Sequence, residues 1–131
     1  MKTKTSYSII LATLIMLLIL SGCAEKKADF GKDQSGQSAE LAIGDILTIE
    51  LESNPGTGYA WSVIEIDETV LVQDGESVYN EPSEPGIASG TETLRFKAIG
   101  SGKTILKLGY RRSWEANVEP IETYELEVTV E

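Results

Sequence analysis

The sequence predicts an all-β chain, an immunoglobulin-like β-sandwich of about seven or eight antiparallel strands. Apolar and polar residues alternate in short runs throughout its second half. Glycine and proline turn signals interrupt those runs about every ten residues, and no helical period is visible after the amino-terminal segment. With 131 residues there is room for one domain plus a targeting segment and a linker.

The elements follow in chain order. Lys2 and Lys4 precede Ile9–Leu20, a run without a charge. As a helix that run would reach only about 18 Å, short of a hydrocarbon core of about 30 Å, so residues 1–22 read as a signal peptide. Leu20-Ser21-Gly22-Cys23 resembles the lipobox of bacterial and archaeal lipoproteins, which implies that Cys23 carries lipid and that the protein is exported and membrane-anchored, at the cell surface or in the periplasm. Processing would remove Lys2 and Lys4 and no acid, taking the net charge from −10 to −12. Residues 23–39 have little apolar content and read as a lipid-anchored flexible linker, leaving 40–131 as the folded domain.

Leu41-Ala42-Ile43 is expected to belong to an initial strand. Leu47, Ile49 and Leu51 alternate with Thr48, Glu50 and Glu52, a half-buried strand. Tyr59, Trp61 and Val63 form the next, and Val70–Tyr79 a weaker one broken at Asp74-Gly75. Leu94, Phe96 and Ala98 point one way along another strand. Gly100-Ser101-Gly102 then turns the chain into Thr104, Leu106, Leu108 and Tyr110. The last strand places Tyr124, Leu126, Val128 and Val130 on its inner side.

Composition excludes much. There is no histidine, so no Ser-His-Asp or Cys-His catalysis and no histidine metal site. A single cysteine permits no internal disulfide and no cysteine cluster. The acidic balance argues against nucleic acid, which requires a basic stripe. The carboxylate groups Glu65/Asp67/Glu68 and Glu122/Glu125/Glu127 lack the spacing of a Ca²⁺ loop and read as solvated faces. Neither a cofactor nor a metal is implied.

Three connections stand out. In Asn54-Pro55-Gly56-Thr57-Gly58-Tyr59 the proline fixes φ and the glycines allow positive φ, a restrained loop longer than a hairpin requires. Pro82–Thr91, with Gly86, Ile87, Ala88, Ser89 and Gly90 at its centre, is small and suits backbone pairing in a groove. Arg112, Ser113 and Trp114 place a tryptophan in a polar loop, and Trp and Arg are enriched in binding hot spots. In a seven-stranded sandwich these become the B–C, D–E and F–G loops, all at one end. Trp61 and Tyr110 read mainly as packing residues beneath them.

Asn-Pro-Gly-Thr-Gly-Tyr-Ala-Trp at 54–61 resembles the NPTTGYxW motif of the chagasin family, inhibitors of papain-like cysteine peptidases. Gly86–Glu92 is similar to that family's Gly-rich loop leading into Thr-Glu, and Tyr110–Glu115 to its Arg-Pro-Trp loop with a following Glu. The resemblance implies a monomeric, non-enzymatic inhibitor whose loops fill the peptidase cleft reversibly. Asn54–Tyr59 would face the catalytic Cys and His, Gly86–Gly90 the non-primed side, and Arg112 and Trp114 the primed side. Gly56 stands where the family has Thr, Ser113 where it has Pro, and Ala88 and Ser89 where it favours Gly; each loosens a loop, so weaker inhibition is expected. An immunoglobulin-like binding or adhesion module would keep the strands without needing all three loops.

Overall fold

The computed structural model describes residues 25–131, so residues 1–22, expected to be a signal peptide, and Cys23 lie outside the described residues. Among these are nine strands: β1 Lys27–Gly31, β2 Ser38–Leu41, β3 Ile46–Ser53, β4 Ala60–Glu65, β5 Leu71–Gln73, β6 Val78–Asn80, β7 Gly90–Ala98, β8 Gly102–Arg111 and β9 Glu122–Val130. One sheet runs β1-β3-β7-β5, with β6 also on β7; the other runs β2-β9-β8-β4. The sandwich is the one its alternating runs dictate. The faces Leu47/Ile49/Leu51, Leu94/Phe96/Ala98, Leu106/Leu108 and Leu126/Val128/Val130 are all buried between the sheets. Full burial of each large aliphatic side chain contributes about 1.5–3 kcal/mol.

The amino-terminal part departs from expectation. Residues 27–39, expected to lie in the flexible linker of 23–39, are not free. β1 pairs parallel with β3, Lys27 beside Ile46 and Gly31 beside Glu50. A 3-10 turn at Lys32–Gln34 then carries the chain across to the other sheet, where β2 pairs parallel with β9. The strand expected at Leu41-Ala42-Ile43 is thus β2, Ser38–Leu41, while Ala42 and Ile43 are exposed in the turn that follows. Composition misleads here because the ladder bonds are backbone bonds to edges that β3 and β9 already offer. Ala39 and Leu41, with partly buried Ala28 and Phe30, supply enough inward apolar surface to hold both strands.

In the absence of a disulfide, polar ties cross between the sheets just below the loops. The Trp61 N–H donates to Glu92 Oε2 at 3.1 Å, and the Trp61 indole N–H donates to the Glu52 carbonyl at 3.0 Å. The Asn54 N–H donates to Tyr110 Oη at 2.8 Å. Glu92 is only 4% exposed, and its carboxylate occupies the inward position ahead of Leu94, Phe96 and Ala98.

Tyr124 is the reverse case. It is buried in the core and its hydroxyl has no hydrogen-bond partner. Burial pushes its pKa up from 10 to about 12. Between those values the unfolded chain binds fewer protons than the folded one, so stability falls as pH rises from 10 towards 12. The loss amounts to roughly 2–3 kcal/mol, from about 1.4 kcal/mol per pKa unit. Tyr124→Phe is expected to hold or raise stability at pH 7 by up to about 1 kcal/mol, since an unpaired buried hydroxyl is removed. It should also abolish that alkaline loss; urea unfolding at pH 7 and pH 11 checks both.

Candidate functional site

The three unusual connections meet at one end of the sandwich. β3 ends at Ser53 beside Gly90 of β7, which brings the first loop against the second. Trp61 of β4 sits opposite Tyr110 of β8, which brings the first against the third.

The first loop is a closed turn. The Thr57 N–H and hydroxyl both donate to the Asn54 carbonyl, at 3.1 and 2.6 Å. The Gly58 N–H donates to the Pro55 carbonyl at 2.9 Å. The Thr57 hydroxyl, expected from the resemblance to face a peptidase, is therefore engaged inside its own loop in the free protein. Gly58 has φ +84°, and a Cβ there would lie 2.2 Å from the Trp114 ring. Its lack of a side chain serves two needs, a left-handed backbone and a seat for that ring. Gly56 has neither constraint: its φ is outside the left-handed region, and a Cβ would sit 3.3 Å from Asn54 Oδ1.

Arg112 couples the first and third loops. Its Nε–H donates to the Thr57 carbonyl at 3.0 Å, and a second guanidinium nitrogen pairs with Glu115 Oε1 at 3.3 Å. The guanidinium carbon lies 4.4 Å from the Tyr59 ring centroid and 5.9 Å from that of Trp114. Below it, Tyr59 and Tyr110 are 5.4 Å apart between centroids, and Tyr110 and Trp61 are stacked at 5.1 Å. The result is a continuous column, Trp61–Tyr110–Tyr59–Arg112–Trp114. It runs from a ring 6% exposed to one 67% exposed, so the packed interior sets the direction of the tip. Arg112 is a half-buried clamp within the protein, not a free cation. Ser113 and Trp114 are the two central residues of a turn closed by the Glu115 N–H on the Arg112 carbonyl, 3.2 Å.

The second loop is more open. Gly86 adopts φ +89° in open space, Ile87 is 50% exposed and Ala88 is exposed. Gly90 differs from its neighbours: it is the buried first residue of β7, and a Cβ there would lie 2.2 Å from the Asn80 carbonyl oxygen. It hinges the loop against β6 and stands back from the exposed rim.

All three predicted loops are thus brought together. Glu92, Tyr110 and Glu115 were not singled out as site residues. Glu92 was legible as a lone carboxylate in phase with an apolar face. Glu115 pairs with Arg112 locally, three residues apart in one turn; only the Tyr110 hydroxyl, bonded to the distant Asn54 N–H, depends on strand pairing for its role.

The surface is a ridge whose first and third loops are clamped together, apolar at Ile87 and Trp114, and suited to filling a cleft. A model described as "Chagasin family peptidase inhibitor I42" matches residues 40–128. The chain is 32% identical over 93 residues to Amoebiasin-2 of Entamoeba histolytica, covering 69% of this chain and 74% of that protein. It is 29% identical over 89 residues to Chagasin of Trypanosoma cruzi, covering 63% and 79%. The crystal structure of the cysteine protease inhibitor EhICP2 from Entamoeba histolytica shares the fold, with a TM-score of 0.73 at 23% identity over 84% of this chain and all of that one.

Proposed function

This chain belongs to the chagasin family of peptidase inhibitors, and on that premise we propose that it inhibits papain-like cysteine peptidases reversibly, by occluding the active-site cleft. The observation that carries this is the clamped column ending in exposed Trp114 beside the closed Asn54–Gly58 turn. Trp114 and Ser113 lie on the primed side of the cleft and the first loop above the catalytic Cys and His. Gly86–Ser89 lies along the non-primed side, pairing through backbone. Arg112 acts by holding the first and third loops in register. Inhibition involves no chemistry by this chain, no cofactor and no metal, and the protein acts as a monomer. Cys23 carries the lipid that anchors it to the membrane after export, with residues 1–22 removed.

Titration of papain with the soluble protein lacking residues 1–24 tests the reading. Stoichiometric, reversible loss of activity is expected; full activity at micromolar protein, on papain and on cathepsin-type enzymes alike, rejects it.

Ser113 occupies the second position of its turn, the one that proline favours. Ser113→Pro is expected to strengthen binding by roughly two- to fivefold, because a compatible proline removes about 0.4–1 kcal/mol of unbound-state entropy. The dissociation rate from papain checks it; no change, or faster dissociation, counts against loose third-loop geometry in this chain.

A further inference from the structure

The chain enters the sandwich at the end opposite the loops. The Lys26 N–H donates to Asp45 Oδ1 at 3.2 Å, and its carbonyl accepts the Ile46 N–H at 3.0 Å. From there β1 climbs beside β3, and β3 reaches the first loop only at Ser53. The eight residues of β3 span about 27 Å at roughly 3.4 Å each. Between Cys23 and Lys26 stand only Ala24 and Glu25. Three residue steps reach about 11 Å at most. The anchor point is therefore confined close to the base of the domain. That base exposes two large aliphatic side chains, Ile43 at 57% and Ile99 at 44%, in neighbouring turns joined by the Gly44 N–H on the Ala98 carbonyl at 2.8 Å.

We propose that the lipidated protein stands upright on the bilayer, its Ile43–Ile99 end against the lipid and its three loops held about one domain height away. Its target is then a papain-like peptidase free in the surrounding fluid, not one whose cleft lies against the same membrane. This rests on both the inhibitor reading and the Cys23 anchor. With a flexible linker of seventeen residues the loops could have swept back to the surface; folding residues 27–41 onto the sheets removes that freedom.

The test uses the full, processed chain in phosphatidylcholine vesicles bearing a headgroup acceptor dye. Donors are placed on Ser101→Cys, in the exposed base turn, or on Ser83→Cys, in the loop end. Energy transfer is expected to be several times more efficient from position 101 than from 83; equal efficiencies overturn the upright orientation. Papain in solution should be inhibited as well by the vesicle-bound protein as by the detergent-solubilised one, and papain held on the same vesicles by a short anchor at least tenfold less well. Inserting twenty Gly/Ser residues between Ala24 and Glu25 should restore the latter. Equal inhibition of both papains without the insertion overturns the target assignment. Vesicle flotation separates the causes: protein that fails to float has lost the Cys23 anchor reading and this inference with it, whereas protein that floats with equal transfer has lost only the inference.

Discussion

Trp114→Ala is expected to weaken papain binding by about 100-fold, while leaving stability to urea unchanged within about 0.5 kcal/mol. The ring is 67% exposed, so the free protein derives little from its burial. Held over Gly58 and beside Arg112, it meets a partner already oriented, with little rotamer freedom left to lose. Aromatic anchors of this kind contribute about 2 kcal/mol or more at the centre of an interface. Inhibition constants and urea midpoints of the two proteins decide it. An affinity within threefold of the parent would show that the third loop is not part of the contact surface.

Gly58→Ala is the second large effect. An alanine at φ +84° costs about 1–2 kcal/mol in backbone strain. Its Cβ would also enter the space of the Trp114 ring, at 2.2 Å. The ring must move, and the first and third loops lose their common seat. Papain affinity is expected to fall by tenfold or more. A double-mutant cycle identifies the cause: with Trp114 already replaced by Ala, the same change should cost markedly less, because only strain remains. Equal costs in both backgrounds would mean that the Gly58–Trp114 contact plays no part in binding.

The two substitutions probe different levels of legibility. Trp114 was identifiable as a binding residue because it stands in a polar loop with no alternating partner. Gly58 was identifiable as a turn glycine, yet nothing local shows that its missing side chain seats a ring fifty-six positions away. Arg112 was legible as a cation and was expected to meet the enzyme; its pairing with Glu115 is local, three residues on, but its engagement with Thr57 and Tyr59 depends on β4 lying beside β8.

By itself, the sequence determined the strands that carry alternating faces, the core of Leu, Ile, Val and Phe between them, and the presence and order of three unusual loops. Those are properties of neighbours in the chain, where a period of two or a Gly-Pro break already dictates local geometry. Only the tertiary structure decided that Lys27–Gly31 and Ser38–Leu41 are strands, since their partners are the distant backbone edges of β3 and β9. It alone assembled Trp61, Tyr110, Tyr59, Arg112 and Trp114 into one column, because contacts across paired strands follow register, which no single segment encodes.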